Sequence, residues 1–333
     1  MTVPALPPVW FERPVLSELA ATVAAACTIL GPATVDDPHA GVTTAVAAVV
    51  GAAPYDAAFM ERAPNLRVIA RTGIGYDAID VDAATSRGIA VCNTPDGPTI
   101  STAEHAVTLM LMVAKNVRRS EAALRDGSSM GYYSRHEGIE LDGKALGLVG
   151  FGRIARHVAR IAAGLGMRVT VFDPYLDASA VPAGIRRVES LDELLSTADV
   201  VSMHVPLTDA SRDMFGAAQF ASMKPGAIFI NTARGGLVDQ DALLDALEGG
   251  RLFGAGLDVT SPEPLPMGHP LLGRDDVVVT PHVASATADG KVRIFRAAFQ
   301  NAIDVVAGRR PEHIVNPEVW GRAASAPYAG VGK

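Results

Sequence analysis

Short apolar runs alternate with helical patterns through most of this 333-residue chain, and this alternation constrains the fold most strongly. The runs are almost continuously apolar, which is typical of β-strands that helices cover on both faces. The clearest runs are Ala45–Val50, Leu66–Ala70, Ala145–Val149, Arg168–Phe172, Val200–His204, Ala227–Asn231, Gly254–Asp258 and Val277–Thr280. Because helical segments separate these runs, the sequence predicts repeated βαβ units and an α/β fold with an open parallel sheet.

The composition excludes several classes of protein. Apolar residues make up 49% of the chain, too many for a chain that is mainly disordered. The 29 basic residues are outnumbered by 36 acidic ones and no long basic run occurs, so neither nucleic acid nor a membrane is an expected partner. The N-terminal residues MTVPALPPVW do not resemble a signal peptide, and the cytoplasm is the expected compartment. Cys27 and Cys92 lie far apart without a CxxC pattern, so neither a disulfide scaffold nor a metal site is predicted.

Two long helices are predicted from apolar stripes at helical spacing. The first is expected to begin at Ser101, because Ser101 and Glu104 have the spacing of a capping box. The second is expected to run from about Asp289 to Ala307. The Met and Phe side chains in these stripes are interpreted as core residues.

The sharpest local motif is GFGRIA at residues 150–155, which follows an apolar run and opens an amphipathic helix. Gly150 would allow a tight turn, Gly152 would let the backbone approach a pyrophosphate, and Ala155 would permit close packing of helix on strand. The N-terminus of the helix would offer free N–H groups to the phosphates. The motif therefore predicts a dinucleotide-binding site.

An acidic residue, Asp173, ends the second strand of this unit about 20 residues after the glycines. A carboxylate there accepts hydrogen bonds from the ribose hydroxyls and repels a 2′-phosphate, which favours NAD over NADP. The competing interpretation is an Asp that starts a turn with Pro174.

Three further strand ends carry polar residues that suit acid–base chemistry. Arg234 follows one strand and could bind a carboxylate through two hydrogen bonds, Glu263 lies in the loop after the next, and His282 follows the last. Taken alone, Arg234 and Glu263 could be surface residues and His282 a structural histidine. At the ends of consecutive strands in an NAD-binding domain, the three together form a candidate catalytic set.

The motifs GFGRIA with Asp173, NTARGGLVD, GLDVTSPEP and TPHVASAT resemble the successive signatures of the D-isomer-specific 2-hydroxyacid dehydrogenase family, which includes phosphoglycerate dehydrogenases and glyoxylate or hydroxypyruvate reductases. The upstream segments RTGIGYDAID and NTPDGPTISTAEHAVTLML resemble it too. The resemblance implies two doubly wound domains: an NAD-binding Rossmann domain at residues 101–283, inserted into a flavodoxin-like substrate domain formed by residues 1–100 and 284–333. It also implies a homodimer.

The resemblance further implies roles for the matching residues. Arg234 would bind the carboxylate and keto oxygen of a 2-keto acid, His282 would be the general acid and base, and Glu263 would be its partner. Backbone amides at Thr72, Gly73, Ile74 and Gly75 would complete the carboxylate site from the other domain. The implied cofactor-binding residues are Thr102, Gly150, Phe151, Gly152, Arg153, Ile154, Asp173, His204, Val205, Pro206, Thr232, Ala233, Arg234, Asp258 and His282, with Asp258 on the nicotinamide carboxamide.

The expected activity is NAD-dependent interconversion of a 2-keto acid and a D-2-hydroxy acid. A phosphite dehydrogenase with the same Arg, Glu and His set is one alternative, and an NAD-sensing corepressor without catalytic activity is another. The substrate is open among glyoxylate, hydroxypyruvate, 3-phosphohydroxypyruvate and larger branched 2-keto acids. Arg71 occurs in the loop pattern of phosphoglycerate dehydrogenases, but the chain ends soon after the second long helix, so no C-terminal regulatory domain is expected.

Overall fold

A computed structural model describes residues 6–32, 34–51, 53–321 and 328 of the chain. The chain folds into two compact units. Unit 1 comprises Met1–Pro98 and Thr287–Lys333, and unit 2 comprises Thr99–Ala286. The chain thus enters unit 2 once, after Pro98, and returns to unit 1 at Thr287.

All regular strands pair in parallel, and helices connect most of them. The strands are β1 (Pro8–Phe11), β2 (Thr28–Leu30), β3 (Ala47–Val50), β4 (Val68–Arg71), β5 (Ala90–Cys92), β6 (Ala145–Val149), β7 (Arg168–Phe172), β8 (Ile185–Arg187), β9 (Val200–Met203), β10 (Ala227–Asn231), β11 (Leu252–Leu257) and β12 (Val277–Val279). The helices are α1 (Ala20–Ala26), α2 (Ala57–Arg62), α3 (Val81–Ser86), α4 (Thr99–Ala114), α5 (Val117–Arg125), α6 (Arg153–Gly164), α7 (Leu191–Thr197), α8 (Ala217–Ser222), α9 (Gln240–Glu248), α10 (Pro270–Gly273) and α11 (Ala288–Val306).

The sheet of unit 1 has the strand order β2-β1-β3-β4-β5. Successive strand residues point to opposite faces, so β1 contributes Val9 and Phe11 to one core and Trp10 to the other. The first core packs against α11, which supplies Phe295 and Phe299. The order reverses between β1 and β3, and ligands of such sheets bind beside the carboxyl ends of the strands at this point.

The sheet of unit 2 has seven strands in the order β12-β11-β10-β9-β6-β7-β8. Ile228 and Ile230 of β10 face the core with α4 and α6, whereas Phe229 faces the core with α7, α8 and α9. The order reverses between β6 and β9, so the loops after these two strands flank the crevice where dinucleotides bind in this fold. The predicted α/β class with two doubly wound parallel sheets is confirmed.

The first long helix begins earlier than the sequence predicts. Helix α4 starts at Thr99, directly after Pro98, so Ser101 and Glu104 lie inside the helix and do not form a capping box. The side chain of Ser101 is buried, and the fixed backbone torsion of a proline suits the start of a helix. The second long helix, α11, lies within one residue of its predicted bounds and is capped by Thr287, whose side chain accepts a hydrogen bond from the Gly290 N–H.

Both cysteines are buried free thiols. Within the ranges that the structure describes, no helix is long and apolar enough to cross a membrane. Among those same residues, no three His, Cys, Asp or Glu side chains are grouped so that they could hold a metal ion.

Candidate active site

The two glycines after β6 have different structural roles. Gly150 has a φ of +89°, and a Cβ atom there would lie 2.8 Å from the carbonyl oxygen of His204. A Cβ atom on Gly152 would meet nothing within 4 Å. Gly150 therefore lets β6 and β9 end close together, while Gly152, the N-cap of α6, leaves open space at the helix N-terminus, where N–H groups lack helical partners.

The loop after β9 forms the other wall of this crevice. His204 Nε2 lies 2.9 Å from the Ser202 hydroxyl, and burial lowers the pKa of His204 to about 4. The imidazole is therefore neutral at physiological pH. Val205 is partly buried beside Gly150, and Pro206 is exposed.

Asp173 follows β7 and joins two loops of the crevice. Its Oδ2 accepts a hydrogen bond from the Phe151 N–H at 2.9 Å, and its Oδ1 accepts one from the Tyr175 N–H at 2.9 Å. Asp173 therefore does start a turn, and its predicted contact with the ribose stays a prediction. A carboxylate has about four acceptor sites, so binding a ribose hydroxyl is compatible with both bonds.

The loop after β10 places Arg234 against the loop after β11. The Asn231 side chain holds the loop, because its Nδ2 donates to the Arg234 carbonyl at 2.8 Å and its Oδ1 accepts from the Ala233 N–H at 2.9 Å. A Cβ atom on Gly235 would lie 1.9 Å from the Thr260 carbonyl oxygen. Only glycine permits this approach, which brings partly buried Arg234 near the segment that carries Glu263.

The same loop contains a buried hydroxyl that suits a bound cofactor. Thr232 Oγ1 is buried and has no hydrogen-bond partner among the residues the structure describes. Buried polar atoms are almost always paired, so this orphan and the open space at Gly152 both fit a bound dinucleotide. Of the remaining predicted cofactor residues, Thr102 is buried in α4 and Phe151 is buried, Ala233 and Ile154 are partly buried, and Arg153 is exposed.

Asp258, directly after β11, binds the loop that carries His282. Its carboxylate accepts hydrogen bonds from the Val283 N–H at 2.9 Å and the Ala284 N–H at 2.8 Å, and its main-chain carbonyl accepts one from the His282 N–H at 2.8 Å. The side chain is 1% exposed. Burial alone would raise its pKa, but hydrogen bonds from His105, Thr280 and these amides lower the pKa below its usual value. The predicted contact of Asp258 with nicotinamide stays a prediction.

His282 and Glu263 form a hydrogen-bonded pair. His282 Nδ1 lies 2.5 Å from Glu263 Oε1, and both side chains are partly exposed. His282 has a φ of +52°, a left-handed conformation that costs free energy and is held by the bonds to Asp258. Glu263 thus occupies Nδ1, which leaves Nε2 as the nitrogen that can exchange a proton with a ligand.

A pocket of about 370 Å³ adjoins this pair. Its polar lining includes both side chains of the pair, and its apolar lining includes Leu265, Leu272 and Val279. Gln240 holds the adjoining loop, because its Oε1 accepts from the Ser261 N–H at 3.0 Å.

In unit 1, the predicted substrate loop follows β4, and its amides are not equivalent. The Thr72 N–H donates to the Val50 carbonyl at 2.8 Å, and the Gly73 N–H donates to Thr94 Oγ1 at 2.8 Å. For Ile74 and Gly75, no N–H partner occurs among the described residues. Two of the four predicted amides are thus engaged within unit 1, which leaves Ile74 and Gly75 as candidate donors.

Sequence reasoning missed three residues that form hydrogen bonds at these loops: His105 and Thr280 in unit 2, and Thr94 in unit 1. His105 Nε2 lies 2.9 Å from Thr280 Oγ1, and Thr280 Oγ1 donates to Asp258 Oδ1 at 2.6 Å. One signal was present, because His105 and its neighbour Glu104 are the only ionisable residues in the sixteen-residue helix α4.

A doubly wound sheet with an open glycine loop at its reversal point and an acidic residue after the next strand defines a dinucleotide-binding protein of the α/β class. Comparison with known proteins narrows this class. Residues 107–284 match the family model described as D-isomer specific 2-hydroxyacid dehydrogenase, NAD binding domain. The chain belongs to the D-isomer-specific 2-hydroxyacid dehydrogenase family, and the predicted resemblance is confirmed.

Individual similar proteins support this family membership. A D-3-phosphoglycerate dehydrogenase from Archaeoglobus fulgidus is 39% identical over 264 residues, which cover 78% of this chain and 49% of that relative. A glyoxylate reductase from Korarchaeum cryptofilum is 41% identical over 269 residues, 80% of this chain and 81% of that relative. The crystal structure of a D-lactate dehydrogenase from Aquifex aeolicus, complexed with NAD and lactic acid, is 28% identical with a TM-score of 0.81, and the match covers 93% of this chain and 99% of that one. The chain thus spans about half the length of the phosphoglycerate dehydrogenase that it matches.

Proposed function

We propose that this protein is an NAD-dependent oxidoreductase that interconverts a 2-keto acid and a D-2-hydroxy acid. The observation that carries the proposal is the His282–Glu263 pair, joined at 2.5 Å in a loop that Asp258 holds in place. The pair lies in the unit that matches the NAD-binding domain of the family. In the same proposal, unit 2 binds NAD and unit 1 supplies part of the substrate site.

The bound cofactor would supply the hydride that reduces the keto carbon. The open N-terminus of α6 at Gly152 would hold its pyrophosphate, and the carboxylate of Asp173 would accept hydrogen bonds from the adenosine ribose. A 2′-phosphate beside Asp173 would be repelled, which supports NAD over NADP.

The substrate carboxylate would be bound by the Arg234 guanidinium and by the N–H groups of Ile74 and Gly75. A guanidinium presents two parallel N–H groups that match a carboxylate. Arg234 would also stabilise the negative charge that develops on the keto oxygen.

His282 would donate a proton from Nε2 to that oxygen in the reducing direction and accept the hydroxyl proton in the oxidising direction. Glu263 accepts the Nδ1 hydrogen, which fixes the orientation of the ring and stabilises its positive charge. Because the two groups interact directly, pH–rate profiles should report apparent pKa values of the pair.

The proposal is tested with a panel of glyoxylate, hydroxypyruvate, 3-phosphohydroxypyruvate, pyruvate and branched 2-keto acids in the presence of NADH. The loss of NADH absorbance ranks them by kcat/KM, and at least one should be reduced at an enzymatic rate. Phosphite with NAD⁺ is the matched alternative. If phosphite is oxidised and no keto acid is reduced, phosphite is the substrate and the keto-acid proposal is wrong. If no compound of the panel reacts, the result favours a binding protein without catalytic activity.

We also propose a cytoplasmic homodimer. Support for the dimer comes from large apolar side chains of unit 2 that are exposed in a single chain, namely Leu124, Met130 and Tyr133. Light scattering during gel filtration should give about twice the mass of one chain. A mass of 34.6 kDa would contradict the proposal.

A further inference from the structure

We propose that His105 is a positioning residue that holds the catalytic loop of His282 through Thr280 and Asp258. Its effect on catalysis rests on the function proposed above, whereas its effect on the loop does not. His105 lies 175 residues before Thr280 in the chain. Its ring contacts Thr280 and Asp258, not the side chains of the His282–Glu263 pair, so any effect on catalysis is indirect.

The proton of His105 can be assigned from its partners. The Thr280 hydroxyl donates its single hydrogen to Asp258 Oδ1 at 2.6 Å. Thr280 Oγ1 can therefore only accept in its 2.9 Å contact with His105 Nε2, and Asp258 Oδ1, 3.4 Å from the same nitrogen, is also an acceptor. Because both partners are acceptors, Nε2 carries a hydrogen in the neutral and in the charged form of His105.

The backbone of α4 fixes the place from which His105 reaches these partners. A Cβ atom on Gly256 of β11 would lie 2.8 Å from Cβ of Leu109, so the helix lies directly on this strand. His105 is one turn before Leu109, and Asp258 is two residues after Gly256. The helix and the strand end therefore bring His105 and Asp258 together without a flexible connection.

The carboxylate that His105 contacts is the group that orders the loop. Asp258 is 1% exposed, and a buried carboxylate without compensating donors is strongly destabilised. Two of its donors are the N–H groups of Val283 and Ala284, the residues directly after His282. Without His105, we expect Thr280 and Asp258 to lose their shared donor, the loop to open more often, and Nε2 of His282 to leave its catalytic position.

The experiment compares wild type with His105→Ala, His105→Gln and Thr108→Ala. The Gln amide can donate from nearly the same position as Nε2, and Thr108 is an exposed residue of the same helix, so it is the matched control. Steady-state kinetics use NADH and the best keto acid from the panel. Hydrogen-exchange mass spectrometry follows a peptide that contains Val283 and Ala284 and a control peptide from β6.

We expect His105→Ala to lower kcat by about tenfold to a hundredfold, the scale of a small misplacement of a catalytic group. KM for the keto acid should change by less than about threefold, because the groups that bind its carboxylate are untouched. In His105→Ala, the loop peptide should exchange faster than in wild type, while the exchange of the β6 peptide should not change. His105→Gln should restore most of the lost kcat and most of the protection of the loop peptide. Thr108→Ala should match wild type in both measurements.

An unchanged kcat with unchanged exchange in His105→Ala would overturn the proposal. Faster exchange throughout unit 2 would also overturn it, because His105 would then stabilise the unit as a whole. If His105→Ala does not fold, Thr280→Val breaks the same link and should give the same local result. If wild type reduces no keto acid, the proposed function fails, and loop exchange alone decides the role of His105.

Discussion

Unit 1 and unit 2 contain the same kind of sheet but carry different chemistry at the carboxyl ends of their strands. In unit 2, these ends present the side chains of Asp173, Arg234, Asp258 and His282. The side chains of Asp173, Asp258 and His282 each hydrogen-bond to a neighbouring loop, and Arg234 donates to the Ala233 carbonyl in its own loop, so the edge is a preorganised set of charged and titratable groups.

The corresponding edge of unit 1 offers backbone N–H groups together with two charged side chains, Arg71 at the end of β4 and Glu12 after β1. The loop after β4 presents the N–H groups of Ile74 and Gly75, while Thr94 holds the N–H of Gly73. Its acidic residue, Glu12, is engaged by the Tyr55 hydroxyl at 2.7 Å and by the Gly51 N–H. Strand order thus fixes only where a ligand binds, whereas the residues at the strand ends decide which chemistry the ligand undergoes. The proposed function accordingly has the reaction in unit 2 and the binding of the substrate carboxylate partly in unit 1.

Substitution of His282 is the strongest test of the proposal that the reaction takes place in unit 2. We expect His282→Ala to lower kcat by about a hundredfold or more, the usual contribution of general acid–base catalysis. Stopped-flow or steady-state NADH oxidation measures the effect. His157→Gln, on α6, is the histidine control and should behave like wild type. Near-normal kcat in His282→Ala would remove the acid–base role.

Cofactor choice tests a second side chain of the same edge, Asp173. Placing like charges side by side costs several kcal/mol, so kcat/KM with NADH should exceed that with NADPH on the order of a hundredfold. Asp173→Asn keeps an acceptor for the Phe151 N–H but removes the charge, and it should narrow the ratio to about tenfold or less. A wild type that prefers NADPH would contradict the NAD assignment.

Thr94 tests the anion-binding role of unit 1. Thr94→Val removes the hydroxyl that accepts the Gly73 N–H at 2.8 Å, a loss of about 1 kcal/mol that should loosen the substrate loop. We expect KM for the keto acid to rise about fivefold while kcat changes by less than about twofold. Thr94→Ser keeps the hydroxyl and serves as the control. A fall in kcat with unchanged KM would mean that unit 1 takes part in the chemical step.

The smallest expected effect is on stability and concerns His204, a partly buried group of the unit 2 edge. Burial lowers the pKa of His204 from its ordinary value of 6.5 to about 4. Between these values the unfolded chain binds a proton that the folded chain does not, so this stability is present above pH 6.5 and is lost as pH falls to 4. Thermal unfolding at pH 7 and pH 4.5 should show a smaller drop in Tm for His204→Gln than for wild type, by about 3 °C. Equal drops would show that His204 does not contribute.

Much of unit 2 could be predicted from the sequence, because its central strands are buried on both faces. The bounds of β6, β7 and β10 agree with the predicted runs, and Gly150 has the positive φ that its predicted tight turn needs. The approach of a pyrophosphate to Gly152 stays a prediction. The short strands β2 and β8 are exposed or only partly buried, so they lack the continuous apolar run that marks a buried strand.

The parts of the site that could not be predicted depend on contacts between distant segments. His105 contacts Thr280 across 175 residues, Thr94 contacts Gly73 across 21, and Gly235 meets the backbone of Thr260. Hydrophobic periodicity carries no information about such polar contacts, because they depend on where loops meet after the sheets have formed. For the same reason, the sequence alone could not distinguish the four amides of the substrate loop, because the partners that engage two of them lie on distant segments.

The central claim is that this protein transfers a hydride to the keto carbon of a 2-keto acid and that the product is the D-2-hydroxy acid. The most direct measurement uses NADH deuterated at both C4 positions and the best keto acid of the panel other than glyoxylate, whose product has no D or L isomer, followed by chiral chromatography and mass spectrometry of the product. The account predicts the D isomer with one deuterium at C2. An L product, or a hydroxy acid without deuterium at C2, would contradict it.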